Sequence, residues 1–315
     1  MTQRSTVADP GRSALPSSAL GSPAWRLPLQ GDRELVLGDR PLVMGVVNVT
    51  PDSFSDGGLH LDPERALDHA LRLLAEGADL LDLGAESTRP GGGVYGGGAA
   101  TVAEDEECRR LLPVLRRLRP HTRAALSVDT RKASVARAAL DEGADLVNDV
   151  SSLGDPEMAP LVSRRGVPIV LMHSRGELAT MQRDIHFDDV VAEVRSELGT
   201  VLDRAARRGV ARELTLVDPG IGFGKTQEQN LGLLRGLDAL HALGRPVLVG
   251  ASRKTFIGRL TGQPAEDRLA GSLAAAAWAF QGGAQVVRVH DVADTVRFRA
   301  VWSAIAEAGA AGGRG

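Results

Sequence analysis

Lysine is nearly absent: of 37 basic residues in a chain of 315, only Lys132, Lys225 and Lys254 are lysines. Each follows an apolar run, in SVDTRK, DPGIGFGK and GASRK. In a chain that otherwise uses arginine, lysine at these places points to a compact ammonium of adjustable pKa that a guanidinium cannot replace. Cysteine is scarcer still. Cys108, the single one, excludes a disulfide framework and a cysteine-built metal site within one chain and fits a reducing, cytoplasmic setting. It falls in a helical pattern with no base partner, and the seven histidines show no paired ligand spacing, so thiol and zinc chemistry are both disfavoured. Net charge is also small, at −3 with a pI near 6.2. Without a global basic field, nucleic acid and anionic membranes are poor partners, and any phosphate binding must be local. No apolar run approaches the roughly 20 residues of a membrane span. Residues 1–24, rich in Ser, Ala, Pro, Gly and Arg, read as a disordered tail in preference to a transit peptide, leaving 25–310 as one domain.

What is present is organised around PLVMGVVNVTPDSFSDGG, residues 41–58. The unbroken apolar run from Leu42 to Val47 predicts a strand buried on both faces, as in a parallel sheet. From Asn48 the chain turns into a loop with two carboxylates, an amide and one large aromatic, hinged by Gly57 and Gly58. By itself that loop reads more readily as a polar turn capping the helix that begins near Asp62-Pro63-Glu64. The rest of the chain decides between the two.

Trp25 to Leu29 and Glu34 to Leu37 flank Gln30-Gly31-Asp32-Arg33, a hairpin signature, and such a hairpin fits the bottom of a barrel as a plug. A short repeat follows: GADLLD at 77–82, GADLVN at 143–148 and GAQVVR at 283–288. Each copy is a helix-ending glycine leading into a short apolar strand that closes on a polar residue. Eight such apolar runs, near 42–47, 79–83, 124–128, 145–147, 167–172, 214–217, 246–250 and 285–289, alternate with helical patterns at 63–76, 103–119, 132–142, 157–165, 188–208, 228–243, 267–281 and 292–307. The expected class is α/β, a (β/α)8 TIM barrel with an N-terminal hairpin and a disordered tail. A doubly wound open sheet is the alternative, since a linear sequence does not display closure.

Unusual polar residues gather at the ends of these runs: Asn48, Asp82 with Glu86, Asp129, Asn148 with Asp149, His173, Asp218, Ser252 with Lys254, and Arg288 with His290. In a parallel barrel all eight strand ends open on one rim, where such barrels place catalysis. One or two such residues would be helix caps; eight strand ends in eight are too many. Two carboxylates and an amide, Asp129, Asp218 and Asn148, suit a flat heterocycle rich in N–H groups, of guanine or pterin type. Lys254 adds a donor, unless it is a surface lysine. Arg288 and His290 alternate onto one face of the last strand and, with Asn48 across the closure, make a site for a diphosphate. Asn48 is also a suitable Mg2+ ligand. GFGKT at 222–226 echoes a phosphate-binding P-loop but fails it, because the first glycine of that motif is replaced by Pro219. Phe223 serves either an aromatic substrate or the core.

In order along the chain, GVVNVTPDSFSDGG, GAESTRPGG, SVDTRK, NDV, LMHSRG, DPGIGFGK, GASRK and RVHDV resemble the motifs of the dihydropteroate synthase family, over nearly everything from residue 33 onward. The resemblance implies a barrel that joins 6-hydroxymethyl-7,8-dihydropterin diphosphate to p-aminobenzoate, releases pyrophosphate in an SN1-like step, uses Mg2+, is blocked by sulfonamides as p-aminobenzoate mimics, and forms a cytoplasmic homodimer. By the same resemblance Asp129, Asn148, Asp218 and Lys254 hold the pterin, with Met172 packed against it. Asn48, Arg288 and His290 take the diphosphate and the metal, Asn48 as metal ligand. Phe54, Asp56, Thr88, Arg89, Pro90, Phe223 and Ser252 build the p-aminobenzoate pocket, and the catalytic set comprises Asp56, Lys254, Arg288 and His290.

The chain departs from the family at Ala85, at Glu177-Leu178 and in the glycine-rich stretch from Gly91 to Ala100. These bear on the second loop and on sulfonamide response. Two other readings share the pterin-reading positions. A folate-binding methyltransferase barrel has no need of the anion site. A pterin-binding paralogue without turnover has no need of an intact Asn48, Asp56, Thr88, Arg89, Lys254 and His290.

Overall fold

The computed structural model describes residues 25–50, 63–86, 102–176, 181 and 185–311. It opens with two short strands, β1 (Trp25–Leu29) and β2 (Arg33–Leu37), paired antiparallel from Trp25↔Leu37 to Leu29↔Arg33. Gly31 and Asp32 turn the chain between them in left-handed conformation, at φ 68° and 54°, which glycine takes freely and aspartate tolerates better than most residues. This is the predicted hairpin.

Eight parallel strands follow: β3 (Leu42–Asn48), β4 (Leu80–Gly84), β5 (Ala125–Asp129), β6 (Leu146–Asp149), β7 (Ile169–Met172), β8 (Thr215–Asp218), β9 (Leu248–Val249) and β10 (Val286–Val289). Their order is β8-β7-β6-β5-β4-β3-β10-β9, and a parallel bridge between Val217 and Val247 joins the two ends. The ring therefore closes, and the open-sheet alternative falls away. Around it run α1 (Pro63–Ala75), α2 (Glu104–Leu118), α3 (Ala133–Asp141), α4 (Met158–Arg165), α5 (Val190–Arg207), α6 (Gln227–Arg235), α7 (Thr255–Thr261), α8 (Leu269–Gln281) and α9 (Val292–Ala311). Several of them turn an apolar stripe to the strands; on α1 it is Ala66, Leu67, Ala70 and Leu73. Asp189 starts α5 by accepting the Val191 and Ala192 N–H groups.

Two helical segments differ from expectation. The predicted helix at 228–243 divides: α6 stops at Arg235, and Leu237–Leu243 winds as a tighter 3-10 helix. At Gly236 a β-carbon would stand 2.9 Å from Val191 Cγ2 of α5, so the chain passes too close there for any side chain. Helix α7 was not predicted, because seven residues are too few for a helical period to show.

The strand starts and the hairpin share one apolar layer, in which Leu27, Leu35 and Leu37 pack on Leu42, Met44, Leu80, Ala125, Leu146, Val170, Leu216, Leu248 and Val286. The hairpin thus plugs the barrel bottom. Leu27 and Leu37 are wholly buried, each worth about 1.5–3 kcal/mol relative to an exposed side chain.

The six-residue repeat finds its physical meaning at the same end. Asp79 N donates to Val43 O at 2.9 Å, and Asp79 Oδ2 accepts the Val43 N–H at 2.8 Å. Asp145 does the same with Leu126, at 2.7 and 3.0 Å, and Gln285 with Val247, at 2.9 and 2.6 Å. Each repeat thus staples the start of its own strand to the start of a neighbour through a reciprocal pair completed by the carboxylate or amide oxygen at that position. The glycine two positions before has φ 99°, 97° and 79° in the three copies, turning the chain from helix to strand.

Candidate active site

At the opposite end the strands close on polar side chains that meet in one mouth. Arg288 lies across its centre: Nε donates to Asp82 Oδ2 at 2.5 Å and Nη2 to Asp129 Oδ2 at 3.0 Å. Asn148 Nδ2 donates to the same Asp82 oxygen at 3.0 Å. Strand register makes this possible, since Asp82 stands beside Ser127, Asp129 beside Asn148, and Gly84 beside Asp129. At Gly84 a β-carbon would come within 3.2 Å of Asp129 Cβ, so glycine there leaves the Asp129 side chain its room.

Two carboxylates share one guanidinium, and the shortage shows. Among the described residues, Asp82 Oδ1, Asp129 Oδ1 and Ser127 Oγ are buried without a hydrogen-bond partner, an arrangement natural proteins rarely keep unless a ligand or water uses it. Burial, and then the negative charge of Asp82, push the Asp129 carboxyl up to about 7. Near neutrality it therefore alternates between acceptor only and donor plus acceptor. Asp218 is pushed up to about 6, by burial against the opposing pull of the Gly220 N–H, which it accepts at 2.7 Å. Buried acids moved this far toward neutrality are characteristic of binding and catalytic sites.

Lys254 closes one side of the mouth. Its Nζ stands 4.2 Å from the centre of the Phe223 ring, a cation–π distance, and Phe223 joins Val150, Met172 and Met181 in a small apolar cluster separate from the main core. Between Ser252 and Lys254, Arg253 takes a left-handed φ of 57°, unfavourable for a bulky residue. Its guanidinium is anchored to Asp291, with Nε 3.0 Å from Oδ2, and its backbone N–H to Ser272 Oγ at 3.0 Å. Such an over-determined kink is typical of functional turns.

His290 sits beside Ser252, whose Oγ accepts the His290 backbone N–H at 3.2 Å and lies 3.1 Å from Nδ1. The hydroxyl, which has one proton and a second lone pair, can meet Nδ1 in either imidazole tautomer. Burial, then Arg288 and Arg253, hold the imidazole down to about 3. His290 is therefore a neutral imidazole near neutral pH, not a second cation beside Arg288.

The family model for pterin binding enzymes matches residues 44–290. This chain belongs to the pterin-binding enzymes. It is 44% identical over 257 residues to a dihydropteroate synthase of Synechocystis, spanning 81% of this chain and 86% of that one. Among solved structures, the Xanthomonas albilineans dihydropteroate synthase with 4-aminobenzoic acid superposes with a TM-score of 0.82 at 50% identity, covering 90% of this chain and 98% of the other. The same enzyme in complex with 7,8-dihydropteroate gives 0.78 at 47%, covering 89% and 98%.

In this pterin-binding barrel Asp129, Asn148, Asp218, Met172, Phe223, Ser252, Lys254, Arg288 and His290 all belong to the mouth end of the strands. Asn48 is exposed at the end of β3, next to β10. Phe54, Asp56, Thr88, Arg89 and Pro90 lie outside the described residues, as does the tail at 1–24. Other strand-end groups serve the loops. Asp149 accepts the Ser151 and Leu153 N–H groups, and Glu86 pairs with Lys132 at 2.9 Å and accepts the Val102 N–H.

Asp82 is a site residue the motif reading passed over as such, although it carries the same signal as Asp129, a carboxylate ending an apolar run. The three rare lysines do lie at this end. Lys132 joins Glu86 and Glu107, Lys254 covers Phe223, and Lys225 is buried behind the pocket.

Proposed function

We propose that this chain is a dihydropteroate synthase, condensing 6-hydroxymethyl-7,8-dihydropterin diphosphate with p-aminobenzoate to give 7,8-dihydropteroate and pyrophosphate. The observation that carries the reading is the convergence of Asp129, Asn148, Asp218 and Lys254 on the mouth that Arg288 and His290 also enter. Ring-reading acceptors and anion donors thus face a common ligand. The acids and the amide hold the N–H edge of the pterin, and Lys254, over Phe223, addresses a ring nitrogen or carbonyl. Arg288 is steadied by Asp82 and Asp129, and turns its other N–H groups, with the neutral His290 imidazole beside it, toward the diphosphate.

The bond from the exocyclic methylene carbon to the diphosphate oxygen breaks, taking its electron pair to pyrophosphate. The electron-rich ring spreads the positive charge left on that carbon. The aniline nitrogen of p-aminobenzoate then forms the new C–N bond and releases a proton to solvent. Preorganised donors at the departing oxygens are the main catalytic device, so no strong general base is needed.

Mg2+ takes few protein oxygens beside phosphate and water, and among the described residues no group of three or more His, Cys, Asp or Glu could hold a metal alone. The exposed Asn48 amide fits as a single oxygen ligand. When bound, the ion would supply charge neutralisation at the departing pyrophosphate. The exposed Trp278 on α8 and Val301 and Ile305 on α9 support a homodimer through those helices, to be checked by sedimentation. A single cysteine and water-soluble, charged substrates support a cytoplasmic setting. The reading is tested by incubating the protein with pterin diphosphate, p-aminobenzoate and Mg2+. Pyrophosphate and dihydropteroate should appear in equal amounts, and the absence of both would refute it.

A further inference from the structure

The motif that echoes a P-loop turns out to be its inverse. In a P-loop, backbone N–H groups point inward at an anion. In the 219–225 segment, carbonyls point inward at a cation supplied by the segment itself. Lys225, 3% exposed, places Nζ 3.0 Å from Gly220 O, 2.9 Å from Phe223 O and 3.0 Å from His173 Nδ1. An ammonium has three hydrogens, and here there are three acceptors.

Glycine permits the curl. Gly220, Gly222 and Gly224 have φ of 66°, 84° and 58°, and a β-carbon at Gly220 would lie 1.9 Å from His173 O. From outside, Asn230 Oδ1 accepts the Gly222 N–H at 2.6 Å.

We propose that Lys225 is a positioning residue for the ring pocket, its buried ammonium holding the 219–225 loop in the one shape that sets the Phe223 ring against Lys254. This rests on the reading of the mouth as a pterin site. The carbonyl of Phe223 binds Lys225 while its ring meets Lys254 at 4.2 Å, so the two lysines grip opposite ends of one residue.

The chain of contacts continues outward and sets a proton order. Because Nδ1 of His173 accepts from Lys225, its ring hydrogen sits on Nε2 and is given to Glu197 Oε2 at 3.0 Å. Glu197 is held in turn by Arg175 Nε at 3.0 Å. The charged groups facing Lys225 are Asp218 at the end of β8, Lys254 beyond β9, Arg175 beyond β7 and Glu197 on α5. Burial lowers the ammonium to about 7 and the His173 imidazole to about 4, so the imidazole is neutral.

When Lys225 loses its proton, two hydrogens remain for three acceptors. Moving the imidazole hydrogen to Nδ1 would turn a bare Nε2 lone pair toward the Glu197 carboxylate. The loop therefore loses an anchor as pH rises through about 7, and ring affinity should fall with it.

With only three lysines in the chain, 13C labelling at the lysine ε-carbon gives three resonances, and the one missing from Lys225→Met is assigned. We expect that resonance to titrate near pH 7 in the full-length protein, with affinity for 6-hydroxymethylpterin, measured by calorimetry, declining in parallel. Lys225→Met should raise KM for pterin diphosphate at least tenfold, leave kcat within threefold and abolish the alkaline decline. Lys225→Arg should recover part of the loss.

A Lys225→Met enzyme with wild-type KM, or a Lys225 resonance that titrates while ring affinity stays flat, overturns the proposal. Should the methionine variant fail to fold, Lys225→Arg decides: its guanidinium keeps its charge, so the decline in ring affinity through pH 7 should be smaller than in wild type, and an unchanged decline overturns the proposal. A wild-type protein that releases no pyrophosphate would instead refute the catalytic reading, a separate outcome.

Discussion

The two ends of this barrel use the same residue type in opposite ways. At the bottom, Asp145 is fully buried, yet its oxygens accept from Arg33, Arg119 and the Leu126 and Gln30 N–H groups. Asp79 accepts from Arg40, Arg299 and the Val43 N–H. Burial alone would raise Asp79, but the bonds from Arg40, Val43 and Arg299 hold it below the usual carboxylate range. At the mouth, Asp82 and Asp129 divide one guanidinium and each keeps an oxygen without a partner among the described residues, and Asp129 is driven up to about 7. Acids at the bottom are finished by the fold. Acids at the mouth are left unfinished among the described residues, open to a ligand or water.

Linkage gives the two ends opposite pH signatures. Asp79, with a lowered folded pKa, adds stability above the ordinary carboxylate range that is lost as pH falls. Asp129 and Asp218, raised to about 7 and about 6, hold protons more tightly folded than unfolded, so their contribution is lost as pH climbs from about 4 to 7.

Four experiments would break or sharpen this contrast. The largest effect belongs to Asp145→Ala, which strands two arginines and two N–H groups. Unfolding in urea should show a loss of about 3–5 kcal/mol, with activity per folded molecule unchanged; a loss confined to activity would erase the distinction between the ends. Lys254→Ala should do the reverse, lowering the condensation rate by about 10²-fold, or roughly 2.7 kcal/mol, through loss of a charge-assisted contact. Its melting temperature should stay close to wild type. Next, calorimetric binding of the pterin diphosphate in excess EDTA should weaken by about tenfold or more, as expected if a bound Mg2+ neutralises diphosphate charge; equal affinity would remove Mg2+ from the site.

Asp129→Asn is the smallest and the most discriminating. It leaves Asp82 and Arg288 as a balanced pair, and should stabilise the ligand-free protein by about 1 kcal/mol at pH 8. The gain should vanish near pH 5, where Asp129 is protonated, and pterin affinity should fall. Destabilisation at pH 8 would mean that Asp129 is as fully satisfied as Asp145.

Much of this was legible in the chain. Apolar runs closing on Asp82, Asp129, Asn148, Asp218 and Arg288 announced strands and rim together, because strand period and rim position are both local matters. The hairpin was legible in Gly31 and Asp32 for the same reason. The break at Gly236 was not, since its cause is Val191 on another helix, 2.9 Å from where a side chain would begin. Nor was the pairing of Arg288 with acids of β4 and β5, or the neutrality of His290, since both depend on what other strands bring alongside.

By itself, then, the sequence determined the order and type of the elements and which residues end each strand, since those follow from periodicity and backbone preference along a single stretch. Tertiary structure alone decided how each ionisable group is answered: Asp145 satisfied, Asp129 left wanting, Lys225 enclosed by its own loop, His290 neutral. Desolvation and partner distance set protonation, and both are properties of what other parts of the chain bring alongside.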